Sequence, residues 1–120
     1  MEETIRLSPH PTSARAAREF VAKTLVGWGR VNQVEAAVLL TSELVTNAII
    51  HARTRVVVTL RVVGDSLRIA VVDESTERPY PRPQAGQLGG GRGLMLVEAL
   101  ADSWGVSAEG GGTSVWFELA

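Results

Sequence analysis

The stretch Glu43-Leu44-Val45-Thr46-Asn47-Ala48-Ile49-Ile50-His51-Ala52 has the apolar density of a core helix, yet Glu43, Asn47 and His51 recur at every fourth position. On an α-helix that spacing stacks the three side chains on one face, turn over turn. Asn is a mediocre helix former, and a carboxylate on a mostly buried helix is costly to remove from water. A fold that contains this helix must give the polar stripe either solvent or a polar ligand. Two readings follow. The stripe is the wet side of an amphipathic helix, or it lines a pocket with carboxylate and amide oxygens aimed at a metal ion or a reacting hydroxyl.

Bulk properties narrow the choice. The 120 residues suit one compact domain, 1–120, with one core. A formal net charge of −1 argues against a dedicated nucleic-acid binder, which would carry a basic face. There is no cysteine, which excludes disulfides, thiolate metal sites and cysteine nucleophiles. His10 and His51 are the only histidines, so a multi-histidine metal centre is excluded as well. No uninterrupted apolar run approaches the ~20 residues that span a bilayer. The acidic start Met1-Glu2-Glu3 leads into no signal-peptide core, so a cytoplasmic protein is expected. Lys23 is the only lysine among twelve Lys and Arg residues, a bias that suggests a GC-rich genome.

In chain order, Thr4 to Leu7 reads as a short edge strand, and Ser8-Pro9-His10-Pro11 breaks regular structure. Ala17, Phe20, Val21, Leu25 and Trp28 keep helical spacing from about Ser13 until Gly27 and Gly29. Arg15, Arg18 and Lys23 occupy the other, solvated side. Asn32 with Glu35 resembles a capping box, with Val31 set to staple against Ala36, so a second helix is expected from about Gln33 to Ala52. His51 and Arg53 suit the negative pole at its end, which is an adequate structural reason for His51. Arg55 to Val63 and Leu67 to Asp73 read as a hairpin turned by Gly64-Asp65. Alternation puts Asp73 on the same face as Leu67, Ile69 and Val71, the core face. An acid there needs a donor, unless it merely ends the strand and turns the chain.

Residues 74–91 show no periodicity and carry Pro79, Pro81, Pro83 and Gly86 before Gly89-Gly90-Gly91-Arg92-Gly93. This exceeds the ~12–15 residues that a compact domain usually gives an unstructured connection. Too little chain follows for a second core, so a lid is expected over about 74–91. The glycines lead into Leu94 to Ala101, a short helix whose first backbone N–H groups can hold an anion. The run matches neither a Walker loop nor the dinucleotide fingerprint. By itself it is as well explained by a plain flexible turn. Trp104, Val106 and Ala108 alternate along another strand, Gly110-Gly111-Gly112 turns it, and Thr113 to Leu119 returns. The order of elements makes an α+β fold, a two-layer α/β sandwich with a mixed, mostly antiparallel sheet and three helices on one face.

Together these pieces resemble the GHKL, or Bergerat, ATP-binding fold of gyrase-type ATPases, heat-shock chaperones and histidine kinases. Within it the chain is similar to the small anti-sigma-factor serine/threonine kinases and their actinobacterial relatives. Glu43-x-x-x-Asn47-Ala48-Ile49-Ile50-His51 is similar to the family's N-box, and Asp73 falls at the aspartate of its first adenine box. Gly91-Arg92-Gly93-Leu94 resembles the second glycine box, and Thr113 sits where the family has its last nucleotide-contacting Thr or Ser.

The resemblance implies ATP and Mg²⁺ as cofactors. Asn47 would ligate the metal through its amide oxygen, a hard ligand for a hard ion. Asp73 would accept from the adenine amino group. Backbone N–H groups near Gly91, Gly93 and Leu94 would hold phosphates. Glu43 would act as general base on a partner's serine or on water. Two positions depart from the family pattern: Glu74-Ser75 follows Asp73 without the usual glycine, and no lysine precedes Thr113. Arg92 is the candidate to replace that cation. Without a dimerisation helix bearing a phosphorylatable histidine, a complete histidine kinase is not expected.

The leading expectation is an ATP-dependent serine kinase that holds a sigma factor and phosphorylates an anti-anti-sigma protein. The alternative is a kinase-silent module of the same fold that binds ATP or docks partners. A hydrolase acting on water is third, since no transducer domain is evident. The resemblance also suggests a homodimer, with the Thr4–Leu7 edge pairing across a two-fold axis. Neither direct nucleic-acid contact nor a membrane is expected.

Overall fold

The valine-rich run forms strand β2, Val56–Val63, which turns through Gly64 and Asp65 into β3, Ser66–Asp73. In the computed structural model, residues 1–75 and 92–120 are described, Arg92 and Gly93 by their backbone alone. Strand β1, Glu2–Leu7, lies at one edge beside β2. Helices α1, Ser13–Gly27, and α2, Val34–Asn47, precede β2. Helix α3, Arg92–Leu100, leads to β4, Ser103–Glu109, and β5, Gly112–Leu119. The five strands are ordered β1-β2-β3-β5-β4.

The sequence allowed a mixed sheet, and among the described residues every pairing is antiparallel. The connections explain this. Two successive helices return the chain to the end of the sheet that β1 left, so β2 runs against β1. A single helix separates β3 from β4, which would make those two parallel neighbours, but β5 inserts between them and opposes both.

One face of the sheet carries the core. Val58, Leu60, Ile69 and Phe117 are fully buried against Val21 and Leu25 of α1, Leu40 and Val45 of α2, and Leu94 and Val97 of α3. Each such side chain contributes roughly 1.5–3 kcal/mol of burial, which is why the helices share that face. The N-terminal strand starts earlier than expected and pairs along its whole length, from Glu2↔Arg61 to Leu7↔Val56.

Helix α2 departs from its expected ends. Val31–Gln33 form a 3₁₀ turn, and neither it nor α2 has a side-chain cap bond. The Asn32–Glu35 box does not form because Asn32 is already inside the helical ladder. Instead the buried Gln33 donates from Nε2 to the Leu119 and Ala120 carbonyls at 3.2 and 2.7 Å. At the other end Ala48–Ala52 widen into a π turn, closed by Arg53 in the left-handed region at φ 55°. Val31–Ala52 as one helix is long and apolar enough by length and composition to cross a membrane, although Glu35, Glu43 and Asn47 interrupt it. Here it is the helix that packs its Leu40–Leu44–Val45 face on the sheet.

Candidate functional site

Asp73 is the last residue of β3 and stands opposite Val56 on one side and Thr113 on the other. It keeps to the core face of the sheet, as its alternation with Ile69 and Val71 requires, and its side chain is half-buried. Burial pushes its carboxyl above the usual aspartate range, and the backbone N–H groups of Ser75 and Thr113 pull it partly back. The Ser75 N–H donates to Oδ1 at 2.8 Å, closing a tight turn directly after the strand. The Thr113 hydroxyl, almost fully buried, donates to the Ser75 carbonyl at 2.6 Å.

Gly112 decides whether this turn can exist. A Cβ there would collide with the Asp73 carbonyl oxygen and come within 3.0 Å of the Glu74 Cα. Three consecutive glycines in a hairpin that needs two were a legible signal of close backbone approach. Gly110 and Gly111 take the turn, at φ 54° and 85°, and Gly112 opens the strand.

Helix α2 spans the sheet from end to end. Gln33, just before it, is bonded to Leu119, which pairs with Leu67 at the start of β3. Its far end runs through the π turn to Val56, which pairs with Asp73. The 14 residues of α2 rise about 21 Å. The six steps from Leu67 to Asp73 cover about 20 Å. Asn47 is the last residue of α2, at the end from which the chain leads on to Val56 opposite Asp73, and Glu43 lies one turn earlier. Both side chains are half-buried on the flank of the packed face, and neither is without a partner.

His51 differs from the other two members of the stripe: it lies in the π turn and is exposed, whereas Glu43 and Asn47 are half-buried. Of the glycine box, Gly91 and most of the expected lid lie outside the described residues. Arg92 and Gly93 open α3 rather than preceding it, and Leu94, expected at a phosphate, places its side chain wholly in the core. Its backbone still belongs to the first turn of the helix. Among the described residues no group of three or more His, Asp and Glu side chains gathers to hold a metal. A divalent ion here would rely on the Asn47 amide, ligand oxygens and water, the donor set that suits magnesium.

Nothing in the sequence singled out Thr54. Its hydroxyl accepts the Glu74 N–H at 2.9 Å and donates to the Arg55 carbonyl at 3.0 Å. Beside it Arg55 and Glu74 form an exposed ion pair at 3.3 Å that holds the Glu74 carboxyl below its usual range.

A family model for the histidine kinase-like ATPase domain matches residues 7–119. The chain belongs to that family. A solved structure similar to this chain is that of the RsbU and RsbW domains of Rv1364c from Mycobacterium tuberculosis. The TM-score is 0.74 at 23% identity, covering 98% of this chain and 32% of that one. The chain thus spans about a third of that solved protein, and the likeness is one of fold. None of the curated proteins matches significantly.

Proposed function

We propose that this histidine kinase-like ATPase domain binds Mg-ATP between α2 and the Asp73 end of the sheet and acts as a regulatory serine kinase. One observation supports it above the rest: Asp73 is a half-buried acid at the end of β3, its carboxyl raised by burial, on the face that the helices cover. Asp73 offers a carboxylate oxygen to the adenine amino group, and Thr113 holds the turn beside it. Asn47 offers its amide oxygen to magnesium, whose charge offsets that of the phosphates. Backbone N–H groups of Gly91, Gly93 and Leu94 receive phosphate oxygens, with Arg92 the nearest cation in sequence. Glu43, one turn before Asn47, takes the proton from a serine hydroxyl of the protein substrate.

The partners that fit this reading are an anti-anti-sigma protein as phosphoacceptor and a sigma factor as the protein held, in the cytoplasm. The β1 edge offers a route to a homodimer. A second reading, an ATP-binding or docking module without transfer, is favoured by the internal bonds of Thr113 and Asp73, which occupy donor and acceptor positions at the purine end.

Calorimetric titration with Mg-ATP, followed by transfer assays on a cognate anti-anti-sigma protein, separates the two. The kinase reading expects phosphoserine from the wild type, and from Glu43→Gln near-native ATP binding with no transfer. ATP binding with no transfer to any such partner moves the assignment to the docking module.

A further inference from the structure

We infer that Thr54 is a positioning residue for the nucleotide site: its hydroxyl locks the loop after α2 onto the strand end that carries Asp73. The inference rests on the reading of Asp73 as the adenine acceptor.

The β2–β3 ladder ends at Val56↔Asp73. One step further, the Glu74 N–H makes no main-chain bond among the described residues. Thr54 supplies the acceptor with its side chain, at 2.9 Å, and anchors its own hydroxyl by donating to Arg55. On the other side the Thr113 hydroxyl donates to Ser75. The segment Asp73-Glu74-Ser75 is therefore gripped by two threonines, Thr54 from the loop before β2 and Thr113 of β5, with Gly112 pressed against the Asp73 carbonyl. Asp73 itself bonds the Ser75 N–H, so any slackening of this segment moves the carboxylate.

Thr54 also ties two halves of the site. It lies seven residues after Asn47, beyond the π turn and the left-handed Arg53. A left-handed Arg is strained relative to an ordinary conformation. The Thr54–Glu74 bond follows directly after that strained residue and ties the loop to the residue that succeeds β3. The neighbouring Arg55–Glu74 pair is exposed on both sides and contributes little. The main-chain bond to Thr54, not the ion pair, sets the register of Asp73 against the helix end.

The test measures Mg-ATP binding by calorimetry for wild type, Thr54→Val, Thr54→Ser and Glu74→Gln, with inorganic tripolyphosphate as a competitor that does not use the purine end. Thr54→Val, which keeps shape and loses the acceptor, should bind ATP roughly fivefold more weakly, the effect of one hydrogen bond. Thr54→Ser should restore affinity to within about twofold, and Glu74→Gln, which keeps its N–H, should match wild type. Tripolyphosphate affinity should not change in any variant. If Thr54→Val folds poorly, Thr54→Ala takes its place.

Wild-type affinity in Thr54→Val, or no recovery in Thr54→Ser, overturns the inference while leaving the nucleotide reading intact. Equal losses for ATP and tripolyphosphate also overturn it, since they indicate general loosening. A wild type that binds no adenine nucleotide overturns the proposed function instead, and the positioning role with it.

Discussion

Replacing Gly112 by alanine probes the tightest contact at the site. The new methyl would overlap the Asp73 carbonyl oxygen and lie 2.9 Å from its carbonyl carbon and 3.0 Å from the Glu74 Cα. All three are backbone atoms, so no side chain can swing aside, and β5 must part from the end of β3. Overpacking of this kind costs about 1–3 kcal/mol. Separation also stretches the Thr113–Ser75 bond, now 2.6 Å, for about 1 kcal/mol more. A total of about 2–4 kcal/mol lowers the melting temperature of a domain this size by roughly 8–16 °C.

The control is Gly111→Ala. A Cβ there meets nothing within 4 Å, and the only cost is a left-handed alanine at φ 85°, about 1 kcal/mol or roughly 4 °C. Thermal melts followed by circular dichroism measure both. Because the displaced atoms belong to Asp73, Gly112→Ala should also weaken Mg-ATP binding, whereas Gly111→Ala should not. If the two variants melt within about 2 °C of each other, the close approach is not what makes Gly112 a glycine.

Two further outcomes follow from the same geometry. Asp73 has a raised carboxyl in the folded state. Between the ordinary aspartate value and that raised value the native state holds more protons than the unfolded chain, so its contribution to stability falls as pH rises through the window. Asp73→Asn removes this slope: urea melts should show the variant gaining on wild type as pH rises there, and a flat or reversed difference would contradict the burial of Asp73. Gln33→Ala strips the donor shared by the carbonyls of buried Leu119 and of the exposed terminal residue Ala120. It should cost about 1–3 kcal/mol in urea unfolding, and a loss below about 0.5 kcal/mol would mean that water replaces the amide.

The relation between sequence and structure is clearest at α2 and β3. Periodicity located both, because side-chain direction along a helix or strand is a local property of the backbone. It also assigned Asp73 to the core face, since alternation along Leu67, Ile69 and Val71 leaves only one side for it. The resemblance carried by Glu43, Asn47, Asp73 and the glycine box pointed to the fold, and the family match agrees with it. Local rules failed where the chain stops being regular. The capping box gave way to a 3₁₀ turn fastened from Gln33 to the last strand, a partner 86 residues away. The helix end expected to run on regularly through His51 became a π turn, in which His51 is exposed.

By itself the sequence determined which residues are helical or extended, which sides are apolar, and that an acid would sit among core residues. Those follow from the spacing of side chains along one stretch of backbone. Only the tertiary structure decided that Gly112 must lack a side chain, that Thr54 and Thr113 grip the segment after Asp73, and that Gln33 fastens the start of α2 to the last strand. Each of these depends on segments distant in the chain meeting within ångströms, and the distance between such segments is set by the packing of the whole core.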